Sequence, residues 1–199
     1  MNGDMNMNNS RTGRMGFSII ALVSIFLIGA LSVSAQKQKS IFIQATAMGT
    51  SYQLGRMVSV DLRISEYSTE EDKTALLQAF TEKGSEGLAN ALHKMKAKGR
   101  LAITGTLGFD VNFIRKFAMP DGSTKYRFVT DRPISFGEAW SSSRSMDYNL
   151  SMGEIIISKD KKKSTGTIYP AAQFKLDKER ELTIETYNNP WKLVNIMLR

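Results

Sequence analysis

The sequence predicts an α+β domain, mainly β: an antiparallel sheet of about seven or eight strands, bent or barrel-like, with a helical hairpin after the first strand. Three observations carry this. Val58 to Ile64 alternates apolar and polar residues as a half-buried strand does, residues 69–98 carry two apolar stripes at helical spacing, and residues 101–199 return to short alternating runs divided by turns. A parallel sheet is not expected, because only one connection is long enough for a crossover.

Taken in order, the chain opens with Arg11 and Arg14, an apolar run from Phe17 to Leu31, and the small residues Val33-Ser34-Ala35 before Gln36. A basic start, a short apolar centre and an alanine at the cut predict a secretory signal over residues 1–35. The alternative is an uncleaved anchor, since Phe17 to Ala35 is just long enough to span a bilayer. Residues 36–56 read as a linker or a marginal strand, and a single domain as 57–199. Within it Val58, Val60, Leu62 and Ile64 alternate with Ser59, Asp61 and Arg63. Ser68 and Glu71 then stand at capping-box spacing before a helix bearing Leu76, Leu77 and Phe80, which Gly84 stops. A second helix carries Leu88, Leu92 and Met95 and closes at Gly99.

Beyond Arg100, Phe109, Val111, Phe113 and Phe117 share one phase. Met119-Pro120-Asp121-Gly122 is a turn with a visible mechanism: proline presets the first central residue, aspartate bonds back to the chain, and glycine takes positive φ. Tyr126, Phe128 and Thr130 return from it, and Pro133 ends that ladder. Four strands follow Met146. In the first, the apolar phase changes across Gly153, which predicts a bulge there. In the second, Pro170 marks an edge or another bulge. Asn188-Asn189-Pro190 turns into the last run, Trp191 to Leu198, apolar on both faces and so expected inside the sheet.

The run Val129-Thr130-Asp131-Arg132-Pro133-Ile134-Ser135-Phe136, with the signal, strand, helical hairpin and Pro-Asp-Gly turn before it, resembles a group of exported bacterial proteins of unknown function. The resemblance covers about Val58 to Arg199. It implies bacterial export and a β-rich domain, and it brings no catalytic residues.

Composition narrows the chemistry. With 199 residues and 42% apolar composition the chain can build a core without a staple. It has no cysteine, which excludes disulfides, thiolate zinc and a cysteine nucleophile, and its one histidine excludes a His-rich metal site. No cofactor and no metal are expected. Removing residues 1–35 takes away Arg11, Arg14 and Asp4, one net positive charge, so the mature chain keeps +7 of the full +8. Lysine clusters at Lys94 to Arg100 and Lys159 to Lys163 read as solvated turns and helix ends. Nucleic acid is not an expected partner, because no aromatic residues interleave with them.

Catalytic templates fail in turn. His93, without a carboxylate near it in sequence, reads as a boundary residue, so His93→Ala is expected to leave any activity intact. Paired acids for a hydrolase are available among Asp61, Glu66, Asp110, Asp131, Glu138, Asp147 and Glu154, but they fit solvent-facing positions equally well. The candidate binding residues are Arg132, Trp140 and Arg144, on the long connection from Asp131 to Asp147, where arginines beside an aromatic ring suit a planar or anionic ligand. The competing reading pairs Asp131 with Arg132 and uses Phe136 and Trp140 to plug the core.

The expected function is a non-enzymatic binding or structural protein of the envelope, periplasmic or extracellular, with an apolar or anionic small ligand or an envelope component as partner. The alternatives are a barrel-like carrier of an apolar ligand, lined by Phe109, Phe113, Phe117, Tyr126 and Phe128, and a hydrolase using two carboxylates.

Overall fold

A computed structural model describes residues 39–134, 136, 148–177, 182–187 and 189–199. The strands are β1 (Ile41–Met48), β2 (Met57–Ile64), β3 (Gly99–Ile103), β4 (Phe109–Ala118), β5 (Thr124–Thr130), β6 (Leu150–Ile157), β7 (Thr165–Leu176), β8 (Leu182–Thr186) and β9 (Trp191–Leu198), and one helix, α1 (Glu70–Lys94), joins β2 to β3. They form one antiparallel sheet in the order β6-β5-β4-β3-β2-β1-β9-β7-β8, and β6 also pairs with β7. The sheet thus closes into an eight-stranded barrel, with β8 attached to the far half of β7 as an extra strand.

Two strands precede the helix, not one. Residues 41–48, expected to be linker or marginal strand, pair along their whole length with β2 and are held on the other side by β9. The inward residues of β1 are Ile43, Ala45 and Ala47. Small side chains suit the narrow interior of a small barrel, and they weaken the apolar signal that would have announced the strand.

The interior is packed. One belt of paired residues runs Ile114, Phe128, Gly153, Ile168, Trp191 across five strands, and the four side chains in it are fully buried. Phe136 stacks on Trp191 with ring centroids 4.6 Å apart. Gly153 is not the site of a bulge: β6 pairs with β5 without a break from Ser151 to Ile157. The change of phase read from the sequence has another cause. Leu150 packs outward under the helix, whereas Ile155 packs inward, so the two ends of the strand bury opposite faces. Pro170 does sit at an irregularity, between the pairs Met152–Tyr169 and Leu150–Ala172, where its missing N–H is tolerated.

A bulge at Asn112 matters more for function. Val111 opposes Thr130 and Phe113 opposes Val129, so Asn112 is the extra residue. Its Nδ2 donates to the Met95 carbonyl at 3.2 Å, satisfying the C-cap of α1. The side-chain phase therefore inverts: Val111 and Ile114 face the interior, while Phe113 lies under the helix.

The helix starts one residue later than the sequence suggests. The Thr69 hydroxyl accepts from Asp72 N at 3.2 Å and Asp72 Oδ2 accepts from Thr69 N at 3.0 Å, a complete capping box. Ser68 is used elsewhere, its hydroxyl accepting from Ile114 N at 3.0 Å. The two expected helical stretches are both present and meet without a loop, at a sharp corner. Lys83 and Gly84 leave helical geometry, and Gly84 has φ 59° and ψ −148°, a region essentially reserved for glycine. Gly87, just past the corner, approaches the Ala79 carbonyl so closely that a Cβ would collide with it. Nothing lies within 4 Å of a Cβ added at Gly84, so Gly84→Ala carries a backbone cost alone. It is expected to lower stability by about 1–3 kcal/mol, read as the shift in urea midpoint.

Candidate functional site

The bulge at Asn112 and the corner in α1 together leave a groove of about 360 Å³ between the helix and the outer face of the barrel. Its floor is Phe113, Phe117, Val129 and Phe174, and its helical wall is Leu76, Phe80, Leu88 and Leu92. Leu77 and Leu182, 51% and 53% exposed, stand at the mouth. The volume falls within the range of about 300–1,000 Å³ typical of small-molecule sites. Phe113 and Phe117, two of the five aromatic residues expected to line the barrel, thus line its outside; Tyr126 and Phe128 belong to the interior core and Phe109 packs against it.

The rim of this groove is basic. Lys73 and Arg115 share Glu70, with Arg115 Nη2 2.6 Å from its Oε1. Arg127 and Lys125 share Glu154 at 2.6 and 3.3 Å, and Arg127 also lies 5.8 Å above the Phe117 ring. Four cations thus meet two carboxylates. The Arg115 hydrogen bond holds the Glu70 carboxyl below its ordinary pKa. At Glu154 burial acts upward, but the hydrogen bonds from Arg127 and Lys125 outweigh it and the pKa is lowered.

On the other flank of α1 a second, polar concavity of about 680 Å³ is bounded by Ser85, Glu86, Asn90, His93, Asn149 and Gln173, with Asp131 at its base. His93 has a carboxylate neighbour after all: its Nδ1 lies 2.7 Å from Asp131 Oδ2, across 38 residues of sequence. The Asp131 side chain is 3% exposed, and Arg132 grips both its oxygens, Nε at 3.0 Å and Nη2 at 3.2 Å. Arg132, expected to meet a ligand, is therefore engaged by its neighbour in the chain. Trp140 and Arg144 lie outside the described residues.

Asp131 also sets a pH dependence. Burial acts to raise its pKa, but the hydrogen bonds from Arg132 and His93 prevail and the carboxyl lies below its ordinary value. A carboxyl whose pKa is lower in the folded state adds stability above its unfolded value of about 3.9, and that stability disappears as pH falls through the folded value. The stability gap between wild type and Asp131→Asn is expected to be widest near neutrality and to close between about pH 5 and pH 2, as followed by urea midpoints.

The other described acids considered for hydrolysis each have a partner, although Asp61 Oδ1 is buried without one among the described residues. Glu66 takes Lys96 at 2.5 Å and Lys98 at 3.6 Å, Asp110 faces Arg100 at 3.7 Å, and Asp61 accepts from Thr104 at 3.3 Å. Glu138 and Asp147 lie outside the described residues. A general acid needs a raised pKa, yet Glu66, Asp131 and Glu154 are all lowered. Among the described residues no three His, Asp or Glu side chains gather as a metal site, and no helix is long and apolar enough to cross a membrane.

No protein-family model matches the chain, and no curated protein or solved structure matches it. The functional argument accordingly rests on the barrel and on the chemistry of its two concavities. A packed barrel carrying an open apolar groove suits binding or transport of a ligand. Sequence reasoning missed the groove because the bulge that turns Phe113 outward leaves no mark in the spacing of Phe109, Val111 and Phe113.

Proposed function

We propose that this is an exported, non-enzymatic binding protein whose groove between α1 and the barrel holds an anionic amphiphile, its apolar chain on Phe113 and Phe117 and its head beside Lys73, Arg115 and Arg127. The observation that carries the proposal is the pairing of an apolar floor with a rim of excess positive charge. Export rests on the basic start, apolar run and Val33-Ser34-Ala35 site, and kinship with the exported bacterial group is part of the same proposal. The ligand site is the outer groove, since Trp191, Phe128 and Phe136 occupy the barrel interior.

Titration with a fluorescent long-chain fatty acid tests it. Saturable binding is expected, weakened about tenfold or more by Leu77→Glu or Lys73→Glu, each change worth roughly 1.4 kcal/mol at the mouth. Both residues are largely exposed, so neither change threatens the fold. Equal affinity in wild type and both variants, or no binding, overturns the reading. Native mass spectrometry of protein from its own host adds a second readout: a co-purifying lipid-like mass is expected, and a bare chain counts against it.

A further inference from the structure

The second concavity has a different chemistry, and we infer that it is a separate binding site for a neutral polyhydroxylated ligand, a carbohydrate, contacted by His93, Asn90 and Asn149. The argument begins with charge. Asp131 is neutralised by Arg132, and Glu185 behind Gln173 is met by Lys175 at 2.7 Å. Glu86 is the remaining acid on the lining and His93 its one titratable base. Such a site neither attracts an anion nor gathers enough carboxylates for a cation.

The lining instead offers mixed donors and acceptors. Asn90, Asn149 and Ser85 bring amide and hydroxyl groups, and each sugar hydroxyl can both donate and accept. The site is preorganised on rigid elements: Ser85 Oγ donates to Asn149 Oδ1 and accepts from Phe174 N, both at 3.3 Å, tying the corner of α1 to β7. Asp131, which as a carboxylate can only accept, takes the His93 Nδ1–H, which leaves Nε2 on the far side of the ring to meet a ligand hydroxyl.

A pair of tyrosines adjoins the segments that line the concavity. Tyr148 and Tyr187 pack at 5.6 Å between ring centroids, and Tyr187 is 45% exposed. Tyr148 directly precedes Asn149. Glu185 pairs with Gln173 across β7 and β8, so Tyr187, two residues further along, shares the face of Gln173. Aromatic rings next to amide groups suit the alternating C–H faces and hydroxyl edges of a sugar ring. The volume of about 680 Å³ accommodates more than one such ring.

The chain has a single histidine, so its imidazole Cε1–H signal in proton NMR is unambiguous in untagged protein. Titration with three neutral trisaccharides, of glucose in α linkage, of glucose in β linkage and of N-acetylglucosamine, is expected to move that signal saturably for at least one of them. Asn90→Ala, an exposed change, and Asn149→Ala are each expected to weaken the effect about tenfold or more, with unchanged circular dichroism. No movement with any of the three sugars up to roughly 10 mM, or a movement that both variants retain in full, overturns the inference. Fatty acid binding in the groove is scored separately, so failure at one site is distinguishable from failure at the other.

Discussion

Gly153→Val is expected to cost at least about 3 kcal/mol and to leave much of the protein unfolded, since overpacking of a rigid core is among the few routes to so large a loss. A Cβ at Gly153 would lie 2.7 Å from Phe128 Cε1 and 2.9 Å from Cε2, inside the contact distance of any carbon pair. The ring has nowhere to go. Phe128 is fully buried, and its strand neighbours in the belt are Ile114 and Gly153 itself. The glycine is thus the space that Phe128 fills from the adjacent strand. Phe128→Ala alone is expected to cost about 3–5 kcal/mol by leaving a cavity. In the double variant the valine enters that cavity, so the combined loss is expected to fall well short of the sum of the two. A double-mutant cycle on urea midpoints measures this, and strict additivity would contradict the packing described.

Trp191→Ala is the second large effect, with an expected loss of about 3–5 kcal/mol. The indole is fully buried at the junction of β7 and β9, stacked on Phe136. Its Nε1 has no hydrogen-bond partner among the described residues, so Trp191→Phe sacrifices packing without stranding a polar partner. That variant is expected to lose about 1–2 kcal/mol, clearly less than the alanine. Thermal unfolding distinguishes the two. An alanine variant as stable as wild type would mean that the barrel does not depend on this layer.

Much of the fold was legible because its signals are local. The Pro120-Asp121-Gly122 turn appears as expected, with Asp121 accepting from Ser123 N at 2.9 Å and Gly122 at φ 78°. The internal place of Trp191–Leu198 followed from its apolar residues on both faces, and β9 indeed has a strand on each side. Features that depend on distant partners were hidden. Nothing near His93 in the chain announces Asp131, and the alternation of Ile41, Ile43, Ala45 and Ala47 was muted by two small residues. At Gly153 the pattern was visible but its cause was not, because covering Leu150 requires knowing where the helix lies. For the site, the structure shows the Asp131–Arg132 pair and the buried Phe136 of the competing reading, while its Trp140 lies outside the described residues. The groove and the polar concavity emerge only once α1 is laid on the barrel.

The meeting of β1 with β9 bears on how the molecule is made. Ile43 pairs with Leu198, so the ring cannot shut until the final strand has left the ribosome. Contacts this remote in sequence slow folding, because loop entropy must be spent before they form. Were the chain exported as proposed above, such a delay would be useful: the polypeptide would stay threadable during synthesis and acquire its final shape on the far side of a translocation channel.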